Sequence, residues 1–154
     1  MGGSTTPSVV AFQRTEGGTH DDARILVGEE AIGQAGSNAQ NTYASVKRLI
    51  GRSRKEALTA MADESQKALL DTAQLGSAEL QCEALGRSLK PEEISCHVIR
   101  KLVQDAERHL GGEKVTRAVI TVPAYFTDRQ RQATEAAGLL AGLERVKLLR
   151  EPEA

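Results

Sequence analysis

Short apolar runs separated by polar breaks dominate the first third of the chain, and they predict small strands joined by turns. Residues 8–12 form a β-branched apolar run, and residues 25–27 form a second one. The polar, glycine-containing stretch at residues 13–24 between them predicts a hairpin loop. Residues 29–34 are then expected to begin a short helix, which the glycine-containing residues 36–38 end.

The middle of the chain predicts two helices and a strand. A polar cap at residues 41–42 is expected to begin a helix that runs through residues 46–50 and stops at a glycine. Residues 54–75 carry Ala, Leu, Lys and Glu with helical spacing, which predicts a longer helix. Residues 78–85 alternate apolar and polar side chains, as a half-buried strand does, and a turn is expected at residues 86–88.

The last third predicts a helix followed by a strand–helix–strand unit. Pro91 and two following acids favour a helix start, and the glycines at 111–112 favour its end. Its expected apolar face repeats every four residues: Ile94, Val98, Leu102, Ala106 and Leu110. Residues 118–122 predict a strand buried on both faces, and residues 146–149 predict a second strand parallel to it. Between them, residues 129–141 predict a helix that Asp128 or Thr127 caps.

Composition narrows the class of protein. The 154 residues suit one domain or a piece of a larger one, and a net charge of −1 argues against nucleic acid or an anionic membrane as a partner. No apolar run approaches the ~18–20 residues of a membrane span, and the first residues do not resemble a signal peptide. Two cysteines suit a reducing compartment, either the cytoplasm or an organelle stroma. The scattered histidines and cysteines lack metal-ligand spacing, and no glycine-rich phosphate motif occurs.

Candidate chemistry lies where the predicted parallel strands end. The first strand stops at Pro123, the aromatic Tyr125 follows it, and Arg131 lies early in the next helix. Glu151 follows the second strand. Ligands of open α/β sheets bind outside the carboxyl ends of the strands, so these four residues are candidates for a functional site.

The amino-acid sequences of these segments resemble those of a known family. VITVPAYF, RQAT, AGL and EP occur in that order, preceded by TTPSVVAF at residues 5–12 and SVKRLIGR at residues 45–52. Together they resemble the nucleotide-binding domain of the seventy-kilodalton heat-shock proteins, the DnaK family of ATP-driven chaperones, with a weak match over residues 54–89. The resemblance implies an α/β fragment of the actin-like, ribonuclease-H-like ATPase fold, with a mixed sheet, flanking helices and a C-terminal βαβ unit. It further implies that residues 1–154 are one lobe truncated at both ends, with a peripheral part at 25–90 and a βαβ core part at 91–154.

Two residues acquire catalytic roles from this resemblance. The family's lysine in KRLIGR lies near the terminal phosphate and helps to position the attacking water, which implies that role for Lys47. Its spacing alone also fits a different interpretation, a lysine on a solvent-exposed helix face. The family's EP position implies that Glu151 lies near the magnesium-bound phosphates and the water, whereas a lone Glu after a strand is usually a surface residue.

Four residues acquire a signalling role in the same way. The family uses the proline at the end of the strand as a nucleotide-sensing switch, which implies that role for Pro123. The family's arginine in RQAT relays the signal to the substrate domain, which implies that role for Arg131, with Tyr125 and Asp128 beside it. Without the resemblance, Pro123 is a strand terminator, Asp128 a helix N-cap and Arg131 an exposed helix residue.

The resemblance implies ATP and Mg²⁺ as cofactors, and as partners unfolded or nascent polypeptides, a J-domain co-chaperone and a nucleotide exchange factor. The family's phosphate loops and adenosine pocket are not found in these 154 residues. We therefore expect the chain alone to bind ATP weakly or not at all and to be inactive. One alternative is a non-catalytic α/β interaction module that has lost nucleotide binding. A weaker alternative is a piece of an unrelated sugar-kinase or actin-like protein.

Overall fold

The structure is a computed structural model that describes residues 6–15, 23–61, 67, 69–70 and 78–152. Thr5 of the TTPS match, most of the predicted loop at residues 13–24 and much of the predicted helix at residues 54–75 lie outside the described residues.

Three antiparallel strands form the first sheet. β1 (Val9–Gln13) lies in the centre, and it pairs with β2 (Arg24–Val27) on one side and with β3 (Thr42–Ala44) on the other. The short helix α1 (Glu29–Gly33) follows β2. The two predicted strands and the predicted short helix are therefore confirmed.

The predicted helix that starts at residues 41–42 is wrong. Thr42–Ala44 is the strand β3, and Val46–Arg48 is a single 3₁₀ turn. Tyr43 explains the difference, because it pairs with Val10 of β1 and is fully buried, and its hydroxyl donates a hydrogen bond to the Gln81 carbonyl. These contacts are distant in sequence, so a local pattern of helix-compatible residues did not reveal them.

The helix predicted at residues 54–75 is interrupted at Met61, although Lys67 is again helical. α2 (Arg54–Ala60) begins at Ser53, which forms a capping box with Glu56, and Met61 already has extended backbone angles of φ −84° and ψ 128°. The predicted strand is shorter as well: β4 (Leu80–Cys82) pairs antiparallel with β5 (Arg87–Leu89). The turn expected at residues 86–88 is thus displaced, because residues 83–86 form it and the next two residues are in β5.

The long helix α3 (Pro91–His109) confirms the predicted helix, but only half of its apolar face is buried. Ile94 is fully buried, whereas Leu102 and Leu110 are 48% and 56% exposed. The N-terminal half of the face packs into the core, and within the described residues the C-terminal half is partly open to solvent.

The predicted βαβ unit is confirmed. β6 (Arg117–Val122) and β7 (Arg145–Arg150) are parallel, and α4 (Asp128–Leu140) connects them. The expectation that β6 is buried on both faces is wrong, because its residues alternate and Val119 is 61% exposed. Within the described residues the sheet has two strands and α4 packs against it, so side chains on the other face stay accessible.

Of the three hydrophobic clusters among the described residues, the two larger ones organise the core. The first cluster surrounds the β1–β3 sheet and the β4–β5 hairpin and includes Phe12, Tyr43 and Leu49. The second cluster consists of Val122, Phe126, Ala133 and Ala137 of the βαβ unit together with Ile50. Adjacent residues of the turn after β3 thus enter different clusters. No helix in the described part of the chain is both long and apolar enough to cross a membrane.

Candidate functional site

Lys47 lies on an exposed 3₁₀ turn between two buried residues. Ser45 begins the turn in the left-handed conformation, with φ 56°, and its carbonyl accepts a hydrogen bond from the Arg48 N–H at 3.1 Å. Val46 and Leu49 are each 3% exposed and fix the turn to the first cluster. The Lys47 side chain is exposed, as expected, but it projects from a tight turn rather than from a helix face.

An open cleft of about 530 Å³ brings Lys47 together with Pro123 and Tyr125. The remaining described residues that line it are Ser8, Ser45, Arg48, Arg52, Ala60 and Phe126. Three of these lining residues are cationic, and none of the described ones is acidic. A cleft with one sign of charge concentrates counter-ions, so this geometry favours an anionic ligand.

Arg52, one of the residues that line this cleft, also carries an unsatisfied donor. Its Nε is buried and has no hydrogen-bond partner among the described residues. Burying a polar group without a partner is costly, so this Nε lowers the stability of the fold as it stands. Sequence reasoning missed Arg48 and Arg52 as site residues, although their positions one and five residues after Lys47 in SVKRLIGR were a usable signal.

The carboxyl end of β6 adjoins the cleft. Pro123 ends β6, and its carbonyl accepts a hydrogen bond from the Phe126 N–H at 3.1 Å, which closes a tight turn. Phe126 is 7% exposed in the second cluster, whereas Tyr125 is 72% exposed at the rim. Glu151 is held beside this turn because its N–H donates to the Val122 carbonyl at 2.8 Å. The Glu151 side chain is exposed and does not line the cleft.

Asp128 and Arg131 form an ion pair at the start of α4. Thr127 is the N-cap: its hydroxyl accepts from the Gln130 N–H at 3.2 Å, and the Gln130 Oε1 accepts from the Thr127 N–H at 2.9 Å. The alternative of Asp128 as N-cap is therefore wrong. Asp128 lies one residue into the helix, where its charge suits the positive end of the helix dipole and engages Arg131. The pair is outside the cleft lining, so the predicted site residues fall into three neighbouring groups.

Buried titratable groups lie elsewhere in the fold. Burial lowers the pKa of His97 from 6.5 to about 4, and its ring packs edge-on against Phe12 with centroids 5.6 Å apart. Burial raises the pKa of Tyr43, with smaller contributions from Cys82. Both Cys82 and Cys96 are free thiols and buried. Among the described residues no group of three or more His, Cys, Asp or Glu side chains could hold a metal ion.

Comparison with known proteins gives a consistent family. The family model described as Hsp70 protein matches residues 1–154. The chain is 50% identical to Chaperone protein dnaK3 of Thermosynechococcus vestitus over 99% of its length, and 49% identical to Chaperone protein dnaK of Emiliania huxleyi over 99%. It is 46% identical over 99% to Heat shock 70 kDa protein 7, chloroplastic, of Arabidopsis thaliana. The chain spans only 20–23% of the length of these three relatives.

Proposed function

The chain belongs to the Hsp70 protein family, and we propose that it supplies part of one lobe of a chaperone ATPase domain with the actin-like ATPase fold. In this proposal the lobe contributes the phosphate-side wall of the nucleotide site. The division into a peripheral part at residues 25–90 and a βαβ core part at residues 91–154 belongs to the same proposal.

The cleft that contains Lys47, whose described lining residues include no acid, is the observation that supports this function most strongly. Its cations, Lys47, Arg48 and Arg52, would face the phosphates of ATP at the carboxyl end of β6. Phosphoryl transfer depends mainly on positioning and on neutralising the charge of the transferred group, and cations on a fixed turn supply both.

The described residues fit Mg²⁺ less well than they fit phosphate. Mg²⁺ prefers several oxygen ligands in a near-octahedral arrangement, and it usually keeps several waters. Glu151 offers a carboxylate just after the end of β7, but none of the described residues that line the cleft is acidic. Mg²⁺ would neutralise phosphate charge when bound, and its remaining ligands would have to come from the nucleotide, from water or from outside the described residues.

Each site residue then has a defined task. The Lys47 ammonium would hold the terminal phosphate and orient the attacking water. Glu151, held beside Pro123 by its backbone hydrogen bond, would accept a proton from that water or hold it in place. Pro123 and Tyr125 would respond to the occupied cleft, and the Asp128–Arg131 pair would carry the change to a substrate domain.

The relatives' names support the wider biological setting of this proposal. They describe chaperone and heat-shock proteins, one of them chloroplastic. We therefore propose unfolded or nascent polypeptides as clients, with a J-domain co-chaperone and a nucleotide exchange factor as partners, in the cytoplasm or an organelle stroma. The alternative of a non-catalytic interaction module has no particular observation among the described residues in its favour.

A segment exchange tests the proposed function. Residues 1–154 would replace the matching segment of the T. vestitus relative, which aligns with 99% of this chain. The chimera is expected to bind and hydrolyse ATP at a rate comparable to that of the unmodified relative, which serves as the control. A chimera that folds, as judged by circular dichroism and a cooperative melt, but neither binds nor hydrolyses ATP would contradict the proposal.

A further inference from the structure

The turn that carries Lys47 is joined to both hydrophobic clusters through consecutive residues. Leu49 belongs to the first cluster and Ile50 to the second, and each is 3% exposed. Side chains of neighbouring residues that are buried in different clusters fix the turn against both parts of the molecule. The Lys47 turn is therefore not a free loop, although Lys47 itself is exposed.

Gly51 brings this turn into direct backbone contact with the start of α4. Its φ is +68°, a left-handed backbone conformation that residues other than glycine rarely adopt. A Cβ at this position would lie 2.5 Å from the Gln130 Cα, 2.9 Å from the Gln130 N and 3.0 Å from the Arg129 O. All three atoms are backbone, so no rotation of an α4 side chain could relieve the overlap.

The backbone that Gly51 touches is itself fixed. Gln130 is 6% exposed and forms the capping box with Thr127. The next residue is Arg131, whose N–H donates to the Thr127 carbonyl at 3.0 Å. A displacement of the Lys47 turn is thus passed to the first turn of α4 through the rigid contact between Gly51 and Gln130. Gly51 lies four residues after Lys47, and Gln130 lies one residue before Arg131.

We propose that Gly51 is a positioning residue that fixes the Lys47 turn against the first turn of α4, so that the cationic cleft and the Asp128–Arg131 pair move together. This link is separate from the switch at Pro123, because it crosses from one cluster to the other without passing through β6. The mechanical part needs no nucleotide, whereas its consequence for hydrolysis rests on the proposed function.

Gly51→Ala in this chain, compared with Gly111→Ala, tests the mechanical part. Gly111 has nearly the same φ, +72°, but a Cβ there would meet nothing within 4 Å. Both variants therefore introduce left-handed strain, and only Gly51→Ala adds the overlap. Backbone amide NMR is expected to show that Gly51→Ala shifts the signals of Lys47, Gln130 and Arg131. Hydrogen exchange of the Arg131 amide should become roughly 5–30-fold faster.

The control defines the result that would overturn the proposal. Gly111→Ala should leave the amides of the Lys47 turn and of the first turn of α4 unchanged. The proposal is wrong if Gly51→Ala perturbs only residues near position 51 and leaves Gln130 and Arg131 as in the parent chain. It is also wrong if both alanine variants perturb the start of α4 equally, because general destabilisation would then account for the effect.

ATP hydrolysis in the chimera tests the functional consequence. Gly51→Ala should lower both basal hydrolysis and its stimulation by a peptide, while Gly111→Ala preserves both. Loss of stimulation alone, or of basal hydrolysis alone, would contradict a shared movement. If the unsubstituted chimera has no activity, the proposed function fails, but the amide measurements on the chain still decide whether Gly51 positions α4.

Discussion

Ile50→Ala is expected to destabilise the chain strongly, because Ile50 docks the Lys47 turn on the βαβ unit. The side chain is 3% exposed and packs in the second cluster with Val122, Phe126 and Ala133. Alanine removes three carbons, which corresponds to about 2.4 kcal/mol of lost burial at ~0.8 kcal/mol for each group. The cavity left behind adds to this, so we expect a total loss of roughly 2–5 kcal/mol.

Urea unfolding followed by circular dichroism measures this loss, with Ile32→Ala as the matched control. Ile32 is 46% exposed, so the same substitution there should cost less than about 1 kcal/mol. The denaturant slope should stay the same in both variants, so that a change in midpoint reports stability. If Ile50→Ala loses no more unfolding free energy than Ile32→Ala, Ile50 does not dock the turn and this prediction is wrong.

Three further predictions concern coupling, affinity and pH. Arg131→Ala in the chimera should leave basal ATP hydrolysis nearly unchanged and abolish its stimulation by a peptide, and a variant that is still stimulated would exclude the relay. Calorimetry of the isolated chain should detect no micromolar affinity for ATP, and a micromolar Kd would contradict this. Burial lowers the pKa of His97 from 6.5 to about 4, so the unfolded state takes up the proton first and stability should fall as pH drops from about 6.5 to 4. His97→Gln should flatten this dependence of the urea midpoint, and an unchanged slope would contradict the assignment.

Elements with strong local signals could be predicted from the sequence. Pro91 and the glycines at 111–112 bracket α3 closely, because a first-turn proline and a terminal glycine act through backbone geometry alone. The βαβ unit was also predictable, since its strands are short apolar runs and its helix lies between clear turns. Pro123 was expected to end its strand on the same local grounds, and it does.

Features that depend on distant contacts could not be predicted. Tyr43 is in a strand because it pairs with β1 and its hydroxyl donates a hydrogen bond to the Gln81 carbonyl. Neither partner is near it in sequence. Val119 is exposed because no described element covers its face of β6, which the apolar run itself does not reveal. In the same way, the spacing of cations after Lys47 was visible, but the fold was needed to place Arg52 and Tyr125 around one cleft.

The central claim is that the Lys47 cleft forms the phosphate-side wall of an ATPase site, and single-turnover ATP hydrolysis by the chimera tests it most directly. Lys47→Ala would be compared with Lys55→Ala, which removes another exposed lysine from the neighbouring helix α2. We expect Lys47→Ala to abolish hydrolysis without changing the melting temperature, and Lys55→Ala to hydrolyse ATP like the parent. Hydrolysis at the parental rate by the Lys47→Ala chimera would contradict the account.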